Sequence, residues 1–255
     1  MRTLIIVPTH EEAENIGVLL DRLDEHVPDA DVLVVDDASF DGTRQIVKER
    51  AALDPRITLI ERAEKRGLGD AYTYAFGIGL ERGYDAFVEI DADLSHDPAV
   101  LPTMLDLTRR GIALVIGSRY VPGGSVVGWP RRRTWLSRWG NRYAAILLGL
   151  AVNDATAGFR VYRADALRTI GLDGVQAGGY GFQVEMTYRT VRAGLGVVEV
   201  PIEFRDRVAG SSKMDQGIVT EAFKLVTFWG LADLVTLRRR HRAYSTESTT
   251  PAESD

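Results

Sequence analysis

Residues 31–43 read DVLVVDDASFDGT. Four apolar residues, Val32 to Val35, run into two carboxylates, Asp36 and Asp37, and then into the turn Asp41-Gly42-Thr43. A short run rich in β-branched residues is the pattern of a strand buried on both faces. The same texture recurs in both directions: Leu4–Val7 precedes it, and Ile57–Ile60, Phe87–Ile90 and Leu114–Ile116 follow. Between the runs the period changes. Ile16, Leu19, Leu20, Leu23 and Val27 fall on one side of a 3.6-residue repeat, and Thr9 with Glu12 has the spacing of a capping box at its start. Strand–helix alternation implies an α/β fold, a mostly parallel central sheet flanked by helices with right-handed crossovers. Ligands of such sheets sit beyond the carboxyl ends of the strands. Function is therefore expected at Pro8–Glu12, Asp36–Asp41, Asp91–His96 and Ser118–Tyr120.

Composition narrows the classes. The chain has 255 residues, 45% hydrophobic and 26% charged, which fits a folded domain with a sizeable core and not a disordered, collagenous or coiled-coil chain. There is no cysteine, which removes disulfides, thiolate metal sites and cysteine nucleophiles. The four histidines show no metal spacing, and no G-x-S-x-G elbow occurs. Arg66-Gly67-Leu68-Gly69 lacks the third glycine and the preceding strand of a dinucleotide fingerprint. No charge-free run exceeds 11 residues, against roughly 20 apolar residues for a membrane span. The apolar part of MRTLIIVPTHEE is too short for a signal peptide. The chain is expected not to cross a membrane, although it could lie on one.

Charge is unevenly laid out. Residues 1–100 carry 10 Lys/Arg against 22 Asp/Glu, and the remainder 21 against 14. An acidic half that holds a cation and a basic half that meets an anion is one reading; two solvated faces of opposite sign is the other. Beyond residue 120, Val121–Trp129 is glycine-rich and reads as a mobile loop. Residues 131–142 hold five Arg and two Trp, and Tyr143–Val152 is apolar and helical. A glycine break at Gly178–Gly181 precedes a helix over Phe182–Ala193, Val197–Ile202 reads as a strand, and 218–237 as a last helix with apolar and charged faces. One domain is expected over 1–237, in two halves, 1–120 and 121–237. A disordered tail is expected at 243–255.

Asp91-Ala92-Asp93 follows the strand FVEI directly. Two carboxylates there are hard oxygen donors beside the crevice, and a divalent cation would relieve their repulsion and bridge a diphosphate. Turn carboxylates capping a helix near Pro98 are the plain alternative. A carboxylate of the Asp36–Asp37 pair is placed to grip a ribose or base, while Asp41 reads as a turn and cap residue. Arg131–Arg133, Arg138 and Arg142 are candidates for an anionic acceptor. Arg133 and Ser137 stand four apart, on one helix face, and suit a single phosphate. Trp129, Trp135 and Trp139 interleave with them, a mixture that suits a membrane interface. Nucleic acid competes for the same basic stretch but is disfavoured by the acidic balance elsewhere, and an exposed basic helix is the bland reading. Arg207 and Lys213 flank Ala209-Gly210-Ser211-Ser212, either a loop that closes over a diphosphate or an ordinary surface loop.

Taken in order, PTHEEAENI, VVDDASFDGT, GLGDAY, DADLSH, GSRY, DATAGFRVYR, GYGFQVEM and VPIEFRDRVAGSSKM resemble the family-2, GT-A-type glycosyltransferases, and among them the polyprenol (dolichol) phosphate mannosyltransferases, over about residues 3 to 230. The resemblance implies a metal-dependent inverting transfer of mannose from GDP-mannose to a polyprenyl phosphate. A related transferase using UDP-glucose or another nucleotide sugar is the alternative. It implies that Pro8, His10, Glu12, Val35 and Asp37 line the nucleotide pocket and that Asp91 and Asp93, flanking Ala92, hold Mg²⁺ or Mn²⁺, with Ser95 a further ligand. Arg119, Arg207 and Lys213 would meet the diphosphate or sugar, with Arg119 counted beside the two acids as catalytic. Arg133 with Ser137 would take the lipid phosphate. His10 stands where the family usually has Tyr, and Ser95 where some members have Gln. With no spanning segment, the expected enzyme is peripheral on the cytoplasmic face of a membrane, and a separate membrane partner could strengthen the attachment.

Overall fold

The computed structural model describes residues 1–175, 179–206 and 223–231. All six apolar runs form strands: β1 (Thr3–Thr9), β2 (Asp31–Asp37), β3 (Ile57–Arg62), β4 (Ala86–Glu89), β5 (Leu114–Ser118) and β8 (Val197–Pro201). Helices fill the intervals: α1 (Ala13–His26), α2 (Thr43–Leu53), α3 (Leu68–Glu81), α4 (Leu101–Arg109), α5 (Arg131–Leu148), α6 (Ala164–Ile170) and α7 (Gly179–Arg192). Three short strands were not anticipated. β6 (Ser125–Val127) and β9 (Glu203–Arg205) pair in a separate parallel ribbon. β7 (Arg160–Arg163) joins the main sheet, whose order is β3-β2-β1-β4-β7-β5-β8. It runs antiparallel to both β4 and β5, whereas every other pairing in that sheet is parallel.

The period-two alternation of the strands feeds two cores. Leu4, Ile6, Leu33, Val35, Phe87, Leu114 and Ile116 face α3, α5, α6 and α7. Ile5, Val7, Val32, Val34, Val88 and Val115 face α1, α2 and α4. Both faces are apolar because helices cover both, as a parallel sheet requires. Gly79 lets α3 sit close: a Cβ there would lie 2.3 Å from Phe87 Cε1 and 2.8 Å from Leu4 Cδ2.

Two local expectations are corrected. Thr9 does not cap α1; it ends β1, and its hydroxyl donates to Asp36 Oδ2 at 2.9 Å. Glu12 is the residue before the helix, without a side-chain cap. The glycine-rich stretch 121–129 contains β6, held by the Ser125 N–H to Ile202 O bond of 2.9 Å, because its valines have a partner strand distant in sequence. Among the described residues, no helix is long and apolar enough to cross a membrane. The last expected helix is seen over 223–231. Arg207, Lys213, the rest of 218–237 and the 243–255 tail lie outside the described residues.

Candidate functional site

β4 delivers Asp91 and Asp93 to the carboxyl rim of the sheet. Both line one small cavity of about 50 Å³, together with His96, Arg119, Trp129 and Arg133. Asp93 is buried and accepts the Ser95 N–H at 3.1 Å. Asp91 is partly exposed, and Gly158 backs it closely, since a Cβ at that position would come within 3.3 Å of Asp91 Oδ2. The Ser95 hydroxyl lies 3.3 Å from His96 Nδ1, and Ser95 itself does not line the cavity. His96 is wedged against Phe159 and Phe204. Burial above all, and Arg119 with it, pushes its pKa down to about 4 against the pull of Asp93, so the ring is neutral at pH 7.

These acids fit a divalent cation. Among the described residues no cluster of three or more metal-ligating side chains exists. Two carboxylates on one cavity wall nonetheless suit an ion of the Mg²⁺ type, which commonly takes one or two carboxylates and completes its shell from substrate phosphates and water.

The nucleotide residues expected from the sequence gather on the ends of β1 and β2. Pro8 is in register with Val35. His10 Nδ1 lies 2.6 Å from the Asp37 carbonyl oxygen, which ties the two rim loops together. Asp37 serves a third loop: its Oδ2 accepts the N–H groups of Arg66 and Gly67 at 3.2 and 3.1 Å, and Oδ1 pairs with Arg62 at 3.1 Å. Glu12 Oε2 accepts from Asn15 Nδ2 at 2.9 Å. Asp36, its neighbour, is structural. It points to the opposite face of β2, where Thr9, Ser39 and Arg44 surround its buried carboxylate. Ala92 is buried between the two rim acids.

Arg119 follows β5 and is held by a residue the sequence reading did not single out. Asp154 accepts Arg119 Nε at 2.7 Å, Nη2 at 2.6 Å and the Arg119 N–H at 2.9 Å, and both side chains are buried. Thr156 accepts Nη2 as well, at 2.9 Å. The only sequence signal was the DATAGFR segment, 35 residues away from its partner. Arg133 stacks 3.9 Å from the Trp129 ring centroid and its Nη1 reaches Asp206 Oδ1 at 3.3 Å. Trp129 Nε1 donates to the same oxygen at 3.2 Å. Trp129 therefore belongs to the site wall, whereas Trp135 and Trp139 remain exposed on α5.

A second cavity of about 130 Å³ opens beside the first, lined by Leu136, Ser137, Tyr143, Ala144, Val184 and Val226, among others. Arg119, Trp129, Arg133 and Thr156 line both. The acidic rim and an apolar trough thus share one cationic wall. Ser137 stands on that trough and accepts the Tyr120 hydroxyl at 2.7 Å. Arg138 and Arg142, grouped with Arg133 on sequence, line neither cavity.

A polar layer supports the site from beneath. Arg160, fully buried on β7, donates to the carbonyls of Ala155 and Ala157 and to Gln183 O and Thr187 Oγ1, clamping the 154–158 loop to α7. Gln183 Nε2 donates to Glu89 Oε2 at 2.8 Å. Burial pushes the Glu89 carboxyl up to about 7, with Arg160 and Gln183 opposing.

Comparison with known proteins follows the same lines. The glycosyl transferase family 2 pattern matches residues 4–171. Over 232 residues the chain is 54% identical to an undecaprenyl-phosphate mannosyltransferase of Micrococcus luteus, covering 91% of this chain and 95% of that protein. It is 46% identical over 231 residues to a polyprenol monophosphomannose synthase of Mycolicibacterium smegmatis, covering 90% and 87%. In fold it is similar to a glucosyl-3-phosphoglycerate synthase of Mycobacterium tuberculosis, solved with Mn²⁺, uridine-diphosphate-glucose and phosphoglyceric acid. There the TM-score is 0.66 at 20% identity, over 88% of this chain and 79% of the other. The α/β architecture expected from the alternating runs is thus that of the GT-A neighbours, and the chain belongs to glycosyl transferase family 2.

Proposed function

We propose that this protein transfers mannose from GDP-mannose to a polyprenyl phosphate, with inversion at the anomeric carbon, releasing GDP. The observation that carries the reading is the shared wall: a strand-end acid pair and an apolar trough meet at Arg119, Trp129, Arg133 and Thr156. A lipid phosphate has one charged end and one apolar end. Seated here, its phosphate would lie against Arg133 and Ser137 at the junction and its chain along the trough.

The parts divide the work. Pro8, His10, Glu12, Val35 and Asp37 form the nucleotide rim. Asp91 and Asp93 would hold Mg²⁺ or Mn²⁺, an ion that neutralises charge on a departing diphosphate. A Mn²⁺-bearing neighbour in fold supports a divalent metal in general. Arg119, held rigid and charge-balanced by Asp154, stands as a preorganised dipole at the sugar end. Arg207 and Lys213, which lie outside the described residues, are proposed to meet the diphosphate or sugar. The acceptor is a phosphate monoester with a second pKa of about 6, so it is mostly dianionic at pH 7 and needs aiming more than deprotonation. Attack from the side opposite the diphosphate gives β-linked mannosyl phosphate without a covalent enzyme intermediate. A lipid acceptor supports peripheral attachment at a membrane, and the proposal assigns the enzyme to its cytoplasmic face.

The test is mannose transfer from GDP-mannose to a polyprenyl phosphate, with UDP-glucose offered in competition. Transfer that prefers GDP-mannose and yields the β anomer supports the reading. Preference for UDP-glucose assigns the alternative donor, and an α product removes the single in-line displacement.

A further inference from the structure

The five arginines of α5 do not serve one site. Arg133 faces the joined cavities, whereas Arg138 and Arg142 line a separate open groove of about 440 Å³ with Tyr120, Ile146, Leu150 and Val152. The two stand four apart, so their guanidinium groups lie on successive turns of one helix face. Both are exposed, and among the described residues neither makes an ion pair. Tyr120 is the partition. Its hydroxyl donates to Ser137 on the acceptor side, while its ring lies 5.2 Å from Arg138 Cζ on the other. The same stripe of α5 carries Trp135 and Ile146, 67% and 71% exposed.

Two guanidinium groups backed by an aliphatic wall, between an exposed Trp and an exposed Ile, match the boundary of a bilayer. Arginine heads meet lipid phosphate there, while the apolar groups enter the hydrocarbon edge. A free phosphate would use the charge and leave the wall unexplained. We propose that this groove binds the phosphate of an anionic phospholipid, at a position distinct from the acceptor phosphate at Arg133 and Ser137. The proposal rests on the lipid-acceptor reading only in placing a bilayer within reach.

The experiment measures partition of the full chain onto phosphatidylcholine vesicles with and without phosphatidylglycerol. Arg138→Gln/Arg142→Gln is compared with Arg131→Gln/Arg132→Gln, which loses the same charge outside the groove. A cation at an anionic surface is worth about fivefold, so the groove variant should bind phosphatidylglycerol vesicles roughly tenfold or more weakly. The control variant should lose markedly less, and neutral vesicles should not separate the two. Equal losses in both variants would mean diffuse attraction and overturn the site. Displacement from phosphatidylglycerol vesicles by millimolar inorganic phosphate, at constant ionic strength, would assign the groove to a free anion and overturn it too. Transfer to a short, water-soluble prenyl phosphate without vesicles should be unchanged in the groove variant. Its loss would put the pair in the acceptor site and overturn the proposal. Absence of that transfer in the unaltered protein would instead count against the proposed function, with the vesicle comparison still decisive for the groove.

Discussion

Asp154 holds Arg119 by both carboxylate oxygens, at 2.6 and 2.7 Å, where both side chains are buried. The pair joins the end of β5 to the loop before β7. It fixes one of the two arginines that line both cavities while its charge stays balanced. Removing one partner of such a buried pair leaves an uncompensated charge, which is far more costly than losing an exposed pair.

Asp154→Ala should therefore lower stability by about 3–5 kcal/mol, read as a fall of the unfolding midpoint in urea at an unchanged slope. Arg119→Met/Asp154→Leu should recover much of that stability and none of the transfer activity. A single variant as stable as the wild type would show that the pair contributes little.

Asp93→Ala should reduce kcat/KM by about 10²–10³, the effect of removing a principal stabiliser of developing charge, while thermal unfolding shifts little. Exhaustive chelation should abolish transfer, and Mn²⁺ or Mg²⁺ should restore it. Full activity in chelator would remove the cation from the account.

Arg133→Ala should raise KM for the prenyl phosphate by about 10–100-fold, the loss of a hydrogen bond to a charged group. KM for the nucleotide sugar should stay close to its original value. An effect confined to the donor would move Arg133 to the diphosphate.

Asp36 carries a pH signature. Burial alone would raise its pKa, but hydrogen bonds from Ser39, Arg44 and Thr9 outweigh that and hold it below the ordinary 3.8. A lowered folded pKa means stability that is present above the unfolded value and lost as pH falls through the folded one. Asp36→Asn should thus be less stable than wild type at pH 7, by about 1–3 kcal/mol, with the gap closing only as the pH drops below 3.8. A gap that persists unchanged into strong acid would deny the carboxylate that role.

Much of the fold was legible because the six main strands are apolar on both faces, a pattern that needs no knowledge of neighbours. β7 was not, since RVYR looks polar; Arg160 is fully buried only because carbonyls of the 155–157 loop and α7 converge on it. Thr9 and Glu12 had the spacing of a cap, yet the Thr9 hydroxyl is taken by Asp36 across the sheet. The rim acids could be located because they directly follow strand runs. Asp154 and Asp206 could not be assigned roles, because each acts on an arginine distant along the chain.

Because β7 runs against both of its neighbours, the chain departs from the sheet after Ser118 and comes back at Arg160 on one and the same side. Everything between, including α5 and the Asp154 loop, is a round trip that begins and finishes at the rim that carries Asp91 and Asp93. Closing a longer round trip adds little entropy cost and shifts no strand register. The segment that carries Arg133 and Asp154 can therefore change in length without disturbing the strands that carry the rim acids.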